Sequence, residues 1–132
     1  MLDFINITKA LSDENRVRAL MMLREGELCV CQLIEMLGLA PSTVSKHMSI
    51  LRQARLVQAR KEGKWMYYRL PDRGVPQHVL EAVNWMQKCL AKDQQIVADN
   101  KRLKLVCRVD KEKLCACYTK SSHKESDSKN MR

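Results

Sequence analysis

Apolar residues along this chain recur first with a helical period, then alternate, then return to a helical period. Phe4, Ile7 and Leu11 stand at i, i+3 and i+7 and predict a short first helix. Ser12 is a suitable N-cap for a second helix reaching about Arg24, with Asp13 and Glu14 in its first turn and Gly26 just past its end. A third, shorter helix runs from about Cys29 to about Leu37 and stops at Gly38. Pro41, at a first helical position, opens a fourth that continues to about Ala54. Residues 56–61 and 64–70 then alternate on either side of Glu62 and Gly63, a two-residue link of hairpin type, and Pro71 ends the pair. After Pro76 no glycine or proline occurs up to Leu105, and Val79, Val83, Met86, Leu90 and Val97 mark one stripe of a long last helix.

The predicted order is four helices, a hairpin and a long helix. Two short helices across a tight glycine-containing turn, followed by a hairpin, describe a mainly α fold with a β-hairpin wing, the winged helix-turn-helix. Residues 1–105 form the expected domain, for DNA binding and dimerisation. Residues 106–132 form a cysteine-containing basic extension, expected to be flexible, and the stretch after Tyr118 is too polar to build a core. At 132 residues the chain makes a small core, and domains of this size commonly bury further apolar surface against a second copy, so a homodimer is expected.

Charge adds a partner. The 24 basic and 15 acidic side chains leave a net +9, which points to a polyanion. A membrane is not the expected one, because no apolar run approaches the roughly 20 residues of a spanning helix. The start, Met1-Leu2-Asp3-Phe4, has no basic n-region or apolar h-region, so a cytoplasmic location of bacterial type is expected. Double-stranded operator DNA remains. In the fourth helix, Val44, Met48 and Leu51 should face the core, while Ser42, Ser45, Lys46, Ser49 and Gln53 form an opposite stripe without an acidic residue. Such a stripe can enter a major groove without repelling phosphates, its hydroxyls and amide reaching base edges or backbone oxygens. The alternative for that stripe alone is an ordinary solvated face. Its surroundings favour DNA, because Lys46, Arg52, Arg55, Arg60, Lys61, Lys64 and Arg69 oppose Glu62 alone between residues 46 and 69.

The reading helix is therefore placed at residues 42–53. The candidate DNA contacts are Ser42, Thr43, Ser45, Lys46, His47, Ser49, Arg52 and Gln53, with Arg60, Lys61 and Lys64 at the wing tip. His47, on the flank of the core stripe, suits a DNA contact or a structural role. Trp65, Tyr67 and Tyr68 are expected to pack the hairpin onto the body.

Six cysteines, at 29, 31, 89, 107, 115 and 117, include two Cys-x-Cys pairs. In a reducing compartment such pairs point to soft-ion binding or thiol redox sensing rather than structural disulfides. On a regular helix Cys29 and Cys31 point about 200° apart, so they can share an ion only if the helix start is distorted. A helix N-terminus favours the thiolate that binds soft ions. Ligation there is expected to deform the helix just before the reader. Cys89 is expected to pack in the core or an interface. No Cys-x-x-Cys in a strand-helix setting, phosphate loop or nucleophile-base pairing occurs, so no enzyme is expected.

Leu11-Ser12-Asp13-Glu14-Asn15-Arg16, Glu27-Leu28-Cys29-Val30-Cys31, Ser45-Lys46-His47-Met48 and Arg60-Lys61-Glu62-Gly63-Lys64-Trp65 with Tyr68-Arg69-Leu70 together resemble the ArsR/SmtB family of metalloregulatory repressors. The resemblance covers about residues 4–100, with four separated motifs in the family's order. It implies a homodimeric winged-helix repressor that leaves its operator when an ion binds. The Cys29-Val30-Cys31 box is similar to that of the arsenic-responsive branch, implying trivalent arsenic (arsenite) as inducer, held by thiolates, with antimony(III) or a soft divalent ion as variants. Members with this box often carry a further cysteine where this chain has Ile34. The third thiolate then has to come from Cys107, Cys115 or Cys117 of either protomer, or from a small thiol. Those three cysteines can equally form a separate thiol site or be incidental. The cadmium/lead-responsive branch adds cysteines from an N-terminal arm, and no cysteine precedes Cys29 here. The zinc branch places paired Asp and His ligands on the last helix, where this chain offers His78 alone as histidine, with Glu81 and Asp93 and no paired pattern. A thiol-redox-responsive repressor of the same fold is a further alternative.

Overall fold

The computed structural model describes residues 1–118. The chain runs through α1 (Leu2–Ala10), α2 (Glu14–Met22), β1 (Leu28–Cys29), α3 (Val30–Leu37), α4 (Pro41–Gln53), β2 (Gln58–Glu62), β3 (Trp65–Arg69), α5 (Gln77–Leu90) and α6 (Gln94–Val106). A further helix, α7, occupies residues 111–118. No helix among the described residues is long and apolar enough to cross a membrane.

The mainly helical fold with a β-hairpin wing follows the hydrophobic pattern through α4 and the hairpin, apart from local shifts. The second helix is capped by Asp13, not Ser12. The Asp13 carboxylate accepts from the Arg16 amide at 3.1 Å, while the Ser12 hydroxyl donates back to the Lys9 carbonyl. Burial alone would raise the Asp13 carboxyl, but the bond from the Arg16 amide and the nearby Arg16 charge help to hold it below the usual range. The hairpin link is Gly63 and Lys64, because Glu62 still pairs with Trp65. Gly63 there takes φ 59°, a left-handed conformation that suits glycine in a tight turn.

The C-terminal half departs further. Where the pattern predicts one helix from 76 to 105, the chain breaks after Leu90 and restarts at Gln94. Asp93 causes the restart, its carboxylate accepting from the amides of Gln95 and Ile96. The break resets the helical phase, so Ile96 is buried and Val97, expected in the core stripe, is 41% exposed. Cys89, expected in the core or an interface, lies outside this protomer's core, exposed on α5.

Helices α3 and α4 are joined by Gly38, Leu39 and Ala40, with Gly38 at φ 66° closing α3 on the Ile34 carbonyl. Leu20, Leu33, Met36, Val44, Met48, Leu51 and Leu56 are fully buried and lock this pair onto α2 and the start of the wing. Helix α6 lies against α2 and α3. It is keyed to α2 by Arg18, whose guanidinium donates to both Asp99 oxygens at 2.8 and 3.0 Å while Gln95 donates to one of them. Asp99 is 6% exposed, so removing one partner strands a buried charge. Arg18→Ala, which leaves that buried carboxylate without its cation, is expected to lower stability by about 3 kcal/mol, read as a lower midpoint in urea unfolding.

Candidate nucleic-acid interface and thiol centre

Helix α4 presents the two faces its sequence predicts. Val44, Met48 and Leu51 are inaccessible, and Ser42, Thr43, Ser45, Lys46, Ser49, Arg52 and Gln53 are exposed. His47 is half-buried, and an Arg16 N–H lies 3.1 Å from its Nδ1. A guanidinium only donates, so Nδ1 accepts and the neutral ring carries its proton on Nε2. Arg16 also donates to the Ala10 and Lys9 carbonyls. One arginine thus ties the end of α1 and the start of α2 to the reading helix, which supports the structural role for His47. The helix ends with Arg55 at φ 65° and the Leu56 amide on the Leu51 carbonyl, which turns the chain into the wing.

In the wing, Lys61 and Lys64 are exposed, but Arg60 is already engaged. Its guanidinium grips the Glu27 carboxylate at 2.6 to 2.9 Å, reaches Glu62 at 2.8 Å and lies 4.5 Å from the centre of the Tyr67 ring. The bond from Arg60 holds Glu27 below the ordinary carboxylate range. Arg60, expected at phosphate, links the wing to the segment leading to Cys29 in this structure.

That segment is a strand the periodicity does not reveal. β1 pairs antiparallel with β3, Leu28 opposite Tyr68 and Cys29 opposite Tyr67, giving sheet order β1-β3-β2. Cys29 is consequently extended (φ −72°, ψ 147°) and stands as the N-cap of α3, one residue outside the helix. Its amide donates to Gln32 Oε1 at 2.8 Å, and the Gln32 side chain is buried. This geometry corrects the expectation that α3 must be distorted for the two thiols to meet. Cys29 belongs to the strand and Cys31 to the first turn of the helix, so the bend between them already turns their side chains to one side.

Cys115 of α7 joins them. The sulfur atoms of Cys29, Cys31 and Cys115 all lie within 4.8 Å of one another, and all three side chains are buried. Cys31 and Cys115 are in disulfide contact with Cα atoms 5.2 Å apart, and the Cys29 sulfur is 3.6 Å from that of Cys115. Trp65, Tyr67, Val30, Leu114 and Tyr118 pack around the group. Cys107 and Cys117 are exposed and stand outside it. The extension expected to be flexible from residue 106 is helical over 111–118, because Leu114, Cys115 and Tyr118 share one face that seats on the body. Residues 119–132 lie outside the described part of the chain.

Glu27, Gln32, Glu35 and Tyr118 are site residues that the sequence reading misses. Only Gln32 carries a local signal, a glutamine three residues after a cap position. The others meet their partners only through the fold.

The model of the bacterial regulatory protein, arsR family, matches residues 13–59. The chain is 32% identical over 113 residues to an Escherichia coli protein described as an arsenical resistance operon repressor, covering 85% of this chain and 95% of that one. It is 45% identical over 74 residues to an arsenic resistance transcriptional regulator of Pseudomonas putida, spanning 55% of this chain and 57% of that relative. A Staphylococcus aureus protein described as a cadmium resistance transcriptional regulatory protein homolog is 40% identical over 82 residues, 61% of this chain and 68% of its own. Among solved structures, the homodimeric winged helix-turn-helix DNA-binding domain of a possible ArsR-family regulator from Mycobacterium bovis superposes with a TM-score of 0.57 at 26% identity, covering 70% of this chain and 82% of that one. With the basic reading helix and wing in place, these likenesses show that the chain belongs to the ArsR family of winged helix-turn-helix transcriptional regulators, which are DNA-binding proteins and not enzymes.

Proposed function

We propose that this chain is a homodimeric cytoplasmic repressor that holds operator DNA through α4 and the wing, and leaves it when trivalent arsenic or antimony is held by Cys29, Cys31 and Cys115. The observation that carries the reading is the set of three buried sulfur donors within 4.8 Å, at the junction of β1 and α3. Trivalent arsenic, when bound, takes up three thiolates and so cross-links whatever elements carry them. Cys115 supplies the donor missing at Ile34, from the same protomer. A soft divalent ion such as cadmium or lead is the alternative, and tetrahedral soft ions favour a fourth donor. Among the described residues the cluster has three. Exposed Leu2, Phe4 and Ile5 on α1 and Trp85 on α5 are apolar surface suited to a second copy of the chain.

Two mechanical paths lead from the thiols to DNA. Cys31 lies in the first turn of α3, which packs directly on α4. Cys29 lies in a strand paired with β3, and Trp65 and Tyr67 of that strand pack against the sulfur cluster. A change in how these residues pack therefore moves both the reader and the wing. To take the operator from about 99% to about 1% bound, the ligand must favour the released form by roughly 5.5 kcal/mol.

The test is a mobility-shift titration with Cys29→Ser and Cys31→Ser in a thiol-free reductant. Both variants are expected to bind operator as the wild type does and to stay bound at arsenite concentrations that release the wild type. Release of both at the wild-type concentration contradicts the reading. The Cys31–Cys115 contact also supports a redox reading, in which those two thiols form a disulfide as peroxide is reduced to water. Loss of operator binding with peroxide, and none with arsenite, selects it.

A further inference from the structure

Helix α7 brings the third sulfur to a site whose other two donors sit about 85 residues earlier in the chain. Short helices of this kind are marginal on their own, so tertiary contacts decide how often it is docked. Leu114 and Tyr118 supply the apolar part of that contact. The polar part is specific. The Tyr118 hydroxyl donates to the Glu35 carboxylate of α3. Arg102 of α6 braces the same end of α3, donating to the Glu35 and Met36 carbonyls at 3.2 Å with its guanidinium 3.9 Å from the Glu35 carboxylate. At the other end of α7, the Lys111 ammonium lies 5.3 Å from the centre of the Tyr67 ring on β3.

We propose that Tyr118 is a positioning residue. Its bond to Glu35 holds α7 closed over Cys29 and Cys31, presents Cys115 before any ion arrives, and so sets the affinity for a trivalent thiophilic ion. Tyr118 touches no ion itself. It lies one helical turn beyond Cys115, on the same face. A docked α7 is preorganised, so the cost of ordering it is not charged against ion binding. Burial and the Glu35 carboxylate raise the Tyr118 hydroxyl above its ordinary range. The inference rests on the three-thiolate reading above.

The experiment uses the full reduced chain without ion, alkylated briefly by a maleimide and read cysteine by cysteine by mass spectrometry. Cys117, exposed on the same helix, is the internal reference for the buried Cys115. Tyr118→Phe keeps the ring and its packing and removes only the hydroxyl. A hydrogen bond to a charged group is worth enough that this variant is expected to lose roughly tenfold of the Cys115 protection and to bind arsenite roughly tenfold more weakly. Its affinity for operator without ion stays at the wild-type value. Glu35→Ala is expected to match it, and the double variant to show no further loss, as for two partners in one bond. Wild-type Cys115 protection and arsenite affinity in Tyr118→Phe overturn the positioning role while leaving the three-thiolate reading intact. Wild-type arsenite affinity in Cys115→Ser overturns that reading itself.

Discussion

Cys115→Ser is expected to bind operator DNA as tightly as the wild type and to lose arsenite-driven release. The substitution is nearly isosteric and lies on α7, which carries none of the candidate DNA-contacting residues, so those side chains are left as they are. Its effect falls on the sulfur cluster, which drops from three donors to the Cys29–Cys31 pair. Losing a supporting partner beyond the ligands themselves costs a metal site 10- to 100-fold in affinity, so losing a ligand should raise the arsenite needed for half release by on the order of 100-fold or more. Cys107→Ser and Cys117→Ser, at exposed positions outside the cluster, are expected to respond as the wild type. A mobility-shift titration in a phosphine reductant checks all three, with no small thiol present to stand in for the missing sulfur. Normal release by Cys115→Ser, or its loss in Cys107→Ser, contradicts the assignment.

The second large effect is on DNA. Ser49→Glu is expected to abolish operator binding at moderate salt while leaving fold and arsenite affinity unchanged. Ser49 is exposed on α4 at i+4 from Ser45, on a stripe whose lack of acids lets it approach phosphate. Like charges brought together at an interface cost several kcal/mol, which corresponds to roughly a 100-fold or greater loss. Glutamate is at least as good a helix former as serine, so α4 itself does not suffer. Fluorescence anisotropy with an operator duplex reads the loss, and an unchanged thermal midpoint separates it from unfolding. Retained affinity in Ser49→Glu places the DNA contact elsewhere on the chain.

What was legible in the sequence follows from the range over which each signal acts. Helices α1 to α4 and the hairpin carry their period and punctuation within a dozen residues, and Val44, Met48 and Leu51 declare the buried face of the reader by spacing alone. The break between α5 and α6 was hidden because it uses neither glycine nor proline. Its local mark is Asp93, a capping residue inside an otherwise apolar-periodic run. β1 is two residues long, too short for any alternation, yet it decides how Cys29 and Cys31 face each other. Two thiols at i, i+2 diverge inside a helix, but not when the first stands on an extended N-cap. For the third donor, Cys107, Cys115 and Cys117 were equivalent in the sequence. Only packing separates them, since Cys115 is buried beside Leu114 and Tyr118 while the other two face solvent. The Arg60–Glu27 pair was hidden because the two residues are 33 positions apart.

The central claim is that a three-sulfur site within one protomer governs a winged-helix DNA reader. X-ray absorption on the arsenite complex of the reduced full-length chain tests it most directly, by counting the sulfur neighbours of arsenic in the wild type and in Cys115→Ser. The account predicts three sulfur neighbours in the wild type, with one arsenic bound per chain, and two sulfurs with a lighter third neighbour in Cys115→Ser. Two sulfur neighbours in the wild type, or three in Cys115→Ser, would contradict it.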